Sequence, residues 1–164
     1  MRIRRRQRLR RKEINTYSQG IADALGVDPF RDRDDIDLAE AEEWRLLIAD
    51  GEVRGILVGD RPFLTVRGLL AYPAKKRWVT VDMGAVKYVY NGADVMAPGI
   101  VDADPEIKPG DLVWVRDEKN LRPLAIGEAL MPGPEMVASE KGKAVRSIHH
   151  VGDALWKLDE EPKE

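Results

Sequence analysis

A phosphodiester chain is held by small side chains that let it approach, by turns that bend the protein around it, and by a few cations. One run of this 164-residue sequence gathers all three. It reads Val81-Asp-Met-Gly-Ala-Val-Lys-Tyr-Val-Tyr-Asn-Gly-Ala-Asp-Val-Met-Ala-Pro-Gly-Ile100. A strand ends at a glycine, a helix of barely two turns follows, Asn91-Gly92 terminates it, and a second strand begins and bends at Pro98-Gly99. Glycine at 92 permits the left-handed conformation of a helix end, and Pro-Gly forces a sharp turn. Two readings of Asn91, Gly92, Ala93, Asp94, Met96, Ala97, Pro98 and Gly99 stand side by side. Either they only turn the chain around a barrel, or they form a loop of little bulk whose outward N–H groups dock a phosphodiester chain. Lys87, on the short helix, is a solvated charge or a phosphate contact. Asp94 is awkward beside a polyanion and is expected to cap backbone amides, or to accept from a base edge or a 2′-hydroxyl. If the loop is the site, Gly92→Glu is expected to weaken RNA binding without unfolding the protein.

A later basic cluster, Lys141, Lys143 and Arg146, flanks a strand. Period-two geometry sends Lys143 to one face and Arg146 to the other, so these side chains are phosphate ligands or ordinary surface charge. His149 and His150 point to opposite faces for the same reason and lack a third ligand at metal-binding spacing. One is expected inside the barrel, and His149 is retained as a residue that can stack on a base. Trp44, Trp78, Trp114 and Trp156 fall in strands or at the last apolar turn, which favours core packing.

Zero cysteines exclude disulfide scaffolds, thiolate zinc sites and cysteine nucleophiles. No Walker loop, dinucleotide fingerprint or nucleophile elbow is present, and no carboxylate pairs with a histidine in a recognisable motif. The expectation is a protein with no catalytic residues, no cofactor and no metal. No apolar run approaches the ~20 residues of a membrane-spanning helix, and the arginines at the start lead into no apolar signal segment. A cytoplasmic monomer is expected.

The net charge of −2 conceals a strong asymmetry. Residues 1–12 carry +8, residues 13–74 carry −7, residues 75–158 are neutral, and residues 159–164 carry −3. A polyanion feels the local field, screened within about 8–10 Å, so the whole-chain balance does not exclude nucleic acid. The basic arm could bind phosphate, fray, or lie back on the acidic segment that follows it.

Ile14, Tyr17, Ile21 and Leu25 fall on one stripe of a helix over 13–25, which Gly26 stops. Trp44–Ile48 and Val53–Val58 form a hairpin around Asp50-Gly51, whose residue types tolerate the positive φ of a tight turn. Phe63–Tyr72 reads as a short helix ending before Pro73. A charged break at Lys75-Lys76-Arg77 marks a domain boundary. Beyond it, strands near 78–82, 111–116, 124–130 and 144–151 with one helix at 84–90 suit a partly closed β-barrel, which buries them without long open edges.

These blocks carry a resemblance. The Val81–Ile100 run, Lys108-Pro-Gly-Asp-Leu-Val-Trp-Val, Pro123-Leu-Ala-Ile-Gly-Glu-Ala and Ile148-His-His-Val-Gly-Asp-Ala-Leu-Trp156, in that order, resemble a PUA domain, the RNA-binding module named for pseudouridine synthases and archaeosine transglycosylases. The closer likeness is to archaeal relatives of the malignant-T-cell-amplified-sequence family, and Phe63–Pro73 is similar to the segment preceding the PUA domain there. The resemblance implies an α+β protein. A basic arm (1–12) leads into a small α/β pre-PUA domain (13–74), a PUA β-pseudobarrel (75–158) and an acidic tail (159–164). It further implies a non-enzymatic protein that binds structured tRNA or rRNA and acts in translation at the small ribosomal subunit, with a translation-factor protein as a further partner. The alternatives are a non-catalytic tRNA-binding subunit of an RNA-modification system and a PUA-like hydrolase.

Overall fold

The computed structural model describes residues 1–160, so the acidic tail expected at 159–164 is seen only at Asp159 and Glu160. The chain divides into two compact units, one of Met1–Lys75 together with the segment from Ala154 onward, the other of Lys76–Asp153.

The first unit holds β1 (Arg4–Arg8), α1 (Arg11–Leu25), β2 (Asp37–Ala41), β3 (Trp44–Ala49), β4 (Glu52–Val58), β5 (Arg61–Leu64) and α2 (Val66–Ala71). Its strands form one antiparallel sheet in the order of the chain. The α1 stripe buries Ile14, Ile21 and Leu25 as its spacing requires, while Tyr17 is only half-buried. Gly26, at φ 73°, closes the helix by donating its N–H to the Ala22 carbonyl. Asp50 and Gly51 both take positive φ, 53° and 77°, as a two-residue hairpin turn demands. The expected helix over Phe63–Tyr72 is shorter than its apolar residues suggest. Phe63 and Leu64 pair with Ile56 and Gly55 in the sheet, and only then does Thr65 cap α2 by accepting from the Gly68 N–H. The partner that β4 needs outweighs local helix preference. Helix and strand approach so closely that a Cβ on Gly68 would lie 2.0 Å from the Arg54 carbonyl oxygen.

The basic arm does not fray. Arg4–Arg8 forms the edge strand beside β2, and Arg6 and Arg8 each place Nε 2.6 Å from the Asp37 carboxylate. Arg5 reaches Glu40 at 3.4 Å and Arg11 reaches Asp34 at 3.7 Å. Burial pushes the Asp37 carboxyl up, but hydrogen bonds from Arg6 and Arg8 outweigh it and hold the group below the usual carboxylate range. The acidic segment that follows thus orders the arm.

The second unit holds β6 (Trp78–Val81), α3 (Met83–Tyr90), β7 (Val95–Met96), β8 (Ile100–Ala103), β9 (Leu112–Asp117), β10 (Pro123–Ala129), α4 (Gly133–Ala138) and β11 (Lys143–His150). The strand order is β7-β11-β10-β9-β6-β8, with β6 parallel to β9 and the other pairs antiparallel. Laid flat, six strands span about 24 Å. Yet β7 and β8, at opposite edges, are joined only by the 3-10 turn Ala97–Gly99, which reaches at most about 15 Å. The sheet must therefore curl on itself, and the result is a near-closed barrel. Val79, Val81, Val113, Val115, Leu124 and Val145 fill it, and Val89 of α3 and Met136 of α4 pack with them. The single strand expected to bend at Pro98-Gly99 is two short strands at the two edges.

The last helix, α5 (Ala154–Leu158), corrects the expected boundary at 158, because it belongs with the first unit. Leu155 and Leu158 are buried, the Trp156 ring lies 3.8 Å from the Arg67 guanidinium, and the Asp159 carboxylate accepts from the Val53 N–H at 3.1 Å. No helix among the described residues is long and apolar enough to cross a membrane.

Candidate nucleic-acid interface

Asp82 begins α3 as an N-cap, its carboxylate accepting from the Ala85 N–H at 2.9 Å, while the Met83 N–H donates to Glu118 Oε1. After eight helical residues the chain reaches the C-cap Asn91, and Gly92, at φ 81°, redirects it. Between the helix and the Ala93–Gly99 return lies a cleft of about 620 Å³, lined by Gly84, Ala85, Tyr88, Ala93, Asp94, Met96, Pro98, Gly99 and Lys143 among others. Its depth follows from side-chain size. A Cβ on Gly99 would meet the Ala85 methyl at 3.1 Å, so any larger pair would close the floor. The walls are mostly apolar, and the volume falls in the range of small-ligand clefts.

Ala93, Asp94, Met96, Pro98 and Gly99 line this cleft, whereas Asn91, Gly92 and Ala97 do not, and several of the loop's backbone donors are engaged within the fold. The amides of Asn91, Gly92 and Ala93 donate back to carbonyls of α3, and that of Ala97 donates to Gly142 O at 2.9 Å. The loop therefore offers small side chains and a curved surface rather than the row of outward N–H groups its composition suggested. Ala97 is buried, whereas Asn91, Ala93, Met96 and Pro98 are exposed. Gly92 cannot take a side chain harmlessly. Besides its positive φ, a Cβ there would come 2.9 Å from His150 Nε2, so Gly92→Glu disturbs the loop's own fold and is not the clean test that the sequence implied.

Lys143 and Arg146 do not part to opposite faces. The pairing of β11 with β7 slips one residue between Lys143 and Val145, and Ala144 and Val145 are both buried while Lys143 and Arg146 are both exposed. This bulge cancels the alternation, and both cations act on one carboxylate. Asp94 accepts from the Ser147 N–H at 2.9 Å and pairs with Lys143 at 3.3 Å. The Ser147 bond, then Lys143 and Arg146, hold its carboxyl below the usual range against the opposing effect of burial. A depressed folded value stabilises the fold above the ordinary carboxylate range, and this contribution is lost as pH falls through the folded value. Asp94→Asn is accordingly expected to lower the urea midpoint at neutral pH, and the gap from wild type should close in acid. A gap independent of pH would assign the effect to shape rather than charge.

Lys141 is exposed on the turn before β11 and does not line the cleft, and Lys87 is exposed on α3 with its ammonium 5.1 Å from the Tyr88 ring. His149 is only 1 % exposed, and its Nδ1 lies 2.9 Å from the Asp153 carboxylate, so a strand position that looked available for stacking is instead core. The same bond supplies the histidine–carboxylate pair that no sequence motif announced. Sequence reasoning missed Tyr88, 57 % exposed on the cleft wall. The available signal was that α3 carries more apolar residues than its one buried position, Val89, requires. Among the described residues no group of three or more His, Asp or Glu is placed to hold a metal ion.

Comparison with known proteins places this geometry among relatives. A PUA domain family model matches residues 77–151. An uncharacterized protein of Methanocaldococcus jannaschii is 38% identical over 146 residues, covering 89% of this chain and 87% of that protein. Translation machinery-associated protein 20 of Saccharomyces cerevisiae is 33% identical over 133 residues, covering 77% and 74%. The solved structure of a hypothetical protein from Pyrococcus horikoshii superposes with a TM-score of 0.84 at 36% identity, covering 94% of this chain and 99% of that one.

Proposed function

We infer that this chain, which belongs to the PUA-domain family of translation machinery-associated protein 20 and the malignant T-cell-amplified sequences, is a non-catalytic RNA-binding protein acting in translation. The observation that carries the reading is the apolar cleft between α3 and the Ala93–Gly99 return, with the exposed Tyr88 and Lys143 in its lining and Arg146 exposed three residues further along β11. Tyr88 offers a face on which an unpaired base stacks, and a stacked base contributes about 1–3 kcal/mol. Lys143 and Arg146 meet the adjoining phosphates, which fixes register without reading sequence. Asp94 pairs with Lys143 at 3.3 Å and Glu128 with Arg146 at 3.8 Å, so these two carboxylates serve as internal stand-ins for the phosphates when RNA is absent. The RNA is structured tRNA or small-subunit rRNA presenting an unpaired segment, and the place of action is the small ribosomal subunit.

Fluorescence anisotropy against tRNA and small-subunit rRNA fragments tests the reading. Micromolar or tighter, salt-dependent binding is expected, and Tyr88→Ala should weaken it about 10-fold, the equivalent of ~1.4 kcal/mol. Absence of binding to either RNA would reject the function, and binding indifferent to Tyr88 would move the base-contacting surface elsewhere. Co-sedimentation with ribosomal subunits separates a ribosomal role from delivery of tRNA to a modification enzyme.

A further inference from the structure

The arginines of the first twelve residues are not all satisfied by the acidic segment that orders them. Asp37 alone is shared by Arg6 and Arg8, Glu40 serves Arg5 at 3.4 Å, and Asp34 serves Arg11 at 3.7 Å. Among the described residues, Arg2, Arg4, Arg10 and Lys12 have no carboxylate partner, and all four are exposed. Eight bases thus face three engaged carboxylates, which leaves a strongly positive edge on an otherwise acidic unit. Every residue of β1 is exposed, and β1 is the edge of its sheet, so the cations are presented on a fixed strand rather than a mobile tail. A shallow hollow runs along α1 from Arg11 and Lys12 to Asp23, with Arg31 beside it, so its basic end directly follows the strand in the chain.

We propose that this edge, β1 with the first turn of α1, is a second RNA-backbone site, separate from the cleft of the PUA unit and selective for phosphate rather than for base. The inference rests on the RNA-binding reading above and adds the surface by which the first unit shares in it. Three features favour a phosphodiester strand. Seven of the eight bases are arginine, whose planar fork matches phosphate oxygens in pairs. The unpaired cations are spread along the strand and into the helix rather than clustered at a point, as a linear polyanion requires. The bonds to Asp37 and Glu40 hold the strand in place without cancelling its charge, so little ordering remains to be done on binding.

The experiment uses the full chain with Arg2, Arg4, Arg10 and Lys12 all replaced by glutamine, beside a control in which the exposed Lys75, Lys108, Lys119 and Arg122 are replaced instead. Affinity for a small-subunit rRNA fragment is measured by anisotropy between 50 and 200 mM salt. Each phosphate neutralised on single-stranded RNA contributes about 0.7 to the slope of log K against log salt, so loss of four contacts should flatten the slope by about 3. Over that salt range the wild type then loses about 50-fold more affinity than the arm variant. The control should keep the wild-type slope, and unchanged thermal unfolding of both proteins shows that the fold is intact. An arm variant with the full slope, or a control that flattens equally, overturns the proposal while leaving the cleft reading standing. A wild type that binds no RNA removes the reading beneath it. Tyr88→Ala in parallel should lower affinity without changing the slope, which keeps the two surfaces apart.

Discussion

Replacing Lys143 and Arg146 together with glutamine is expected to weaken binding of structured RNA roughly 100-fold at physiological salt and to flatten the salt slope by about 1.5. Hydrogen bonds to charged groups contribute about 1.5–3 kcal/mol each, so two phosphate contacts at the low end amount to about 3 kcal/mol. Both side chains are more than half exposed, at 62% and 51%, so their removal costs the fold little and the effect reads as binding. Circular dichroism on the same samples checks this. Asp94→Asn distinguishes the two roles open to that carboxylate. If Asp94 is only a counter-ion, Asp94→Asn should tighten RNA binding. If it accepts from a base edge or 2′-hydroxyl, the same substitution should loosen it. Wild-type affinity in the Lys143/Arg146 variant would place the interface away from β11 and leave Asn91–Gly99 as a turn around the barrel.

The largest expected effect on stability comes from the far end of the chain. Leu155→Ala with Leu158→Ala removes two buried leucines from α5, each only 3 % exposed. Each such truncation costs about 2–5 kcal/mol, so the pair removes roughly 4 kcal/mol or more from a domain stability of about 5–15 kcal/mol. The loss should fall on the first unit. In hydrogen exchange the amides of β3 and β4 should lose protection while those of β9 and β10, in the PUA unit, keep theirs. Because the Val53 N–H is held by Asp159, it should be among the first to exchange faster. Equal loss in both units would mean that α5 does not belong to the first alone.

Local chemistry made much of this protein legible in its sequence. The 3.6-residue stripe of α1, the Asp50-Gly51 turn, the strand-rich second half and the small-residue run from Gly84 to Gly99 each depend on a few neighbouring residues, and each lies where those residues placed it. The family was readable for the same reason, since four short blocks in order carry it. What the tertiary structure decided concerns partners distant in the chain. Whether Arg4–Arg8 frays or pairs depends on Asp37 and Glu40, about thirty residues away, and whether 154–158 closes one unit or the other depends on Arg67 and Val53, about a hundred away. Whether Lys143 and Arg146 share a face depends on a bulge set by pairing with Val95 and Met96. Periodicity assumes an uninterrupted ladder, and a single extra residue reverses its prediction. The residue types of the run determined that a loop of little bulk would follow α3, and the cleft beside it is a product of the tertiary structure. Which side chains stand around it, and which histidine is withdrawn from it, followed only from the closure of the barrel.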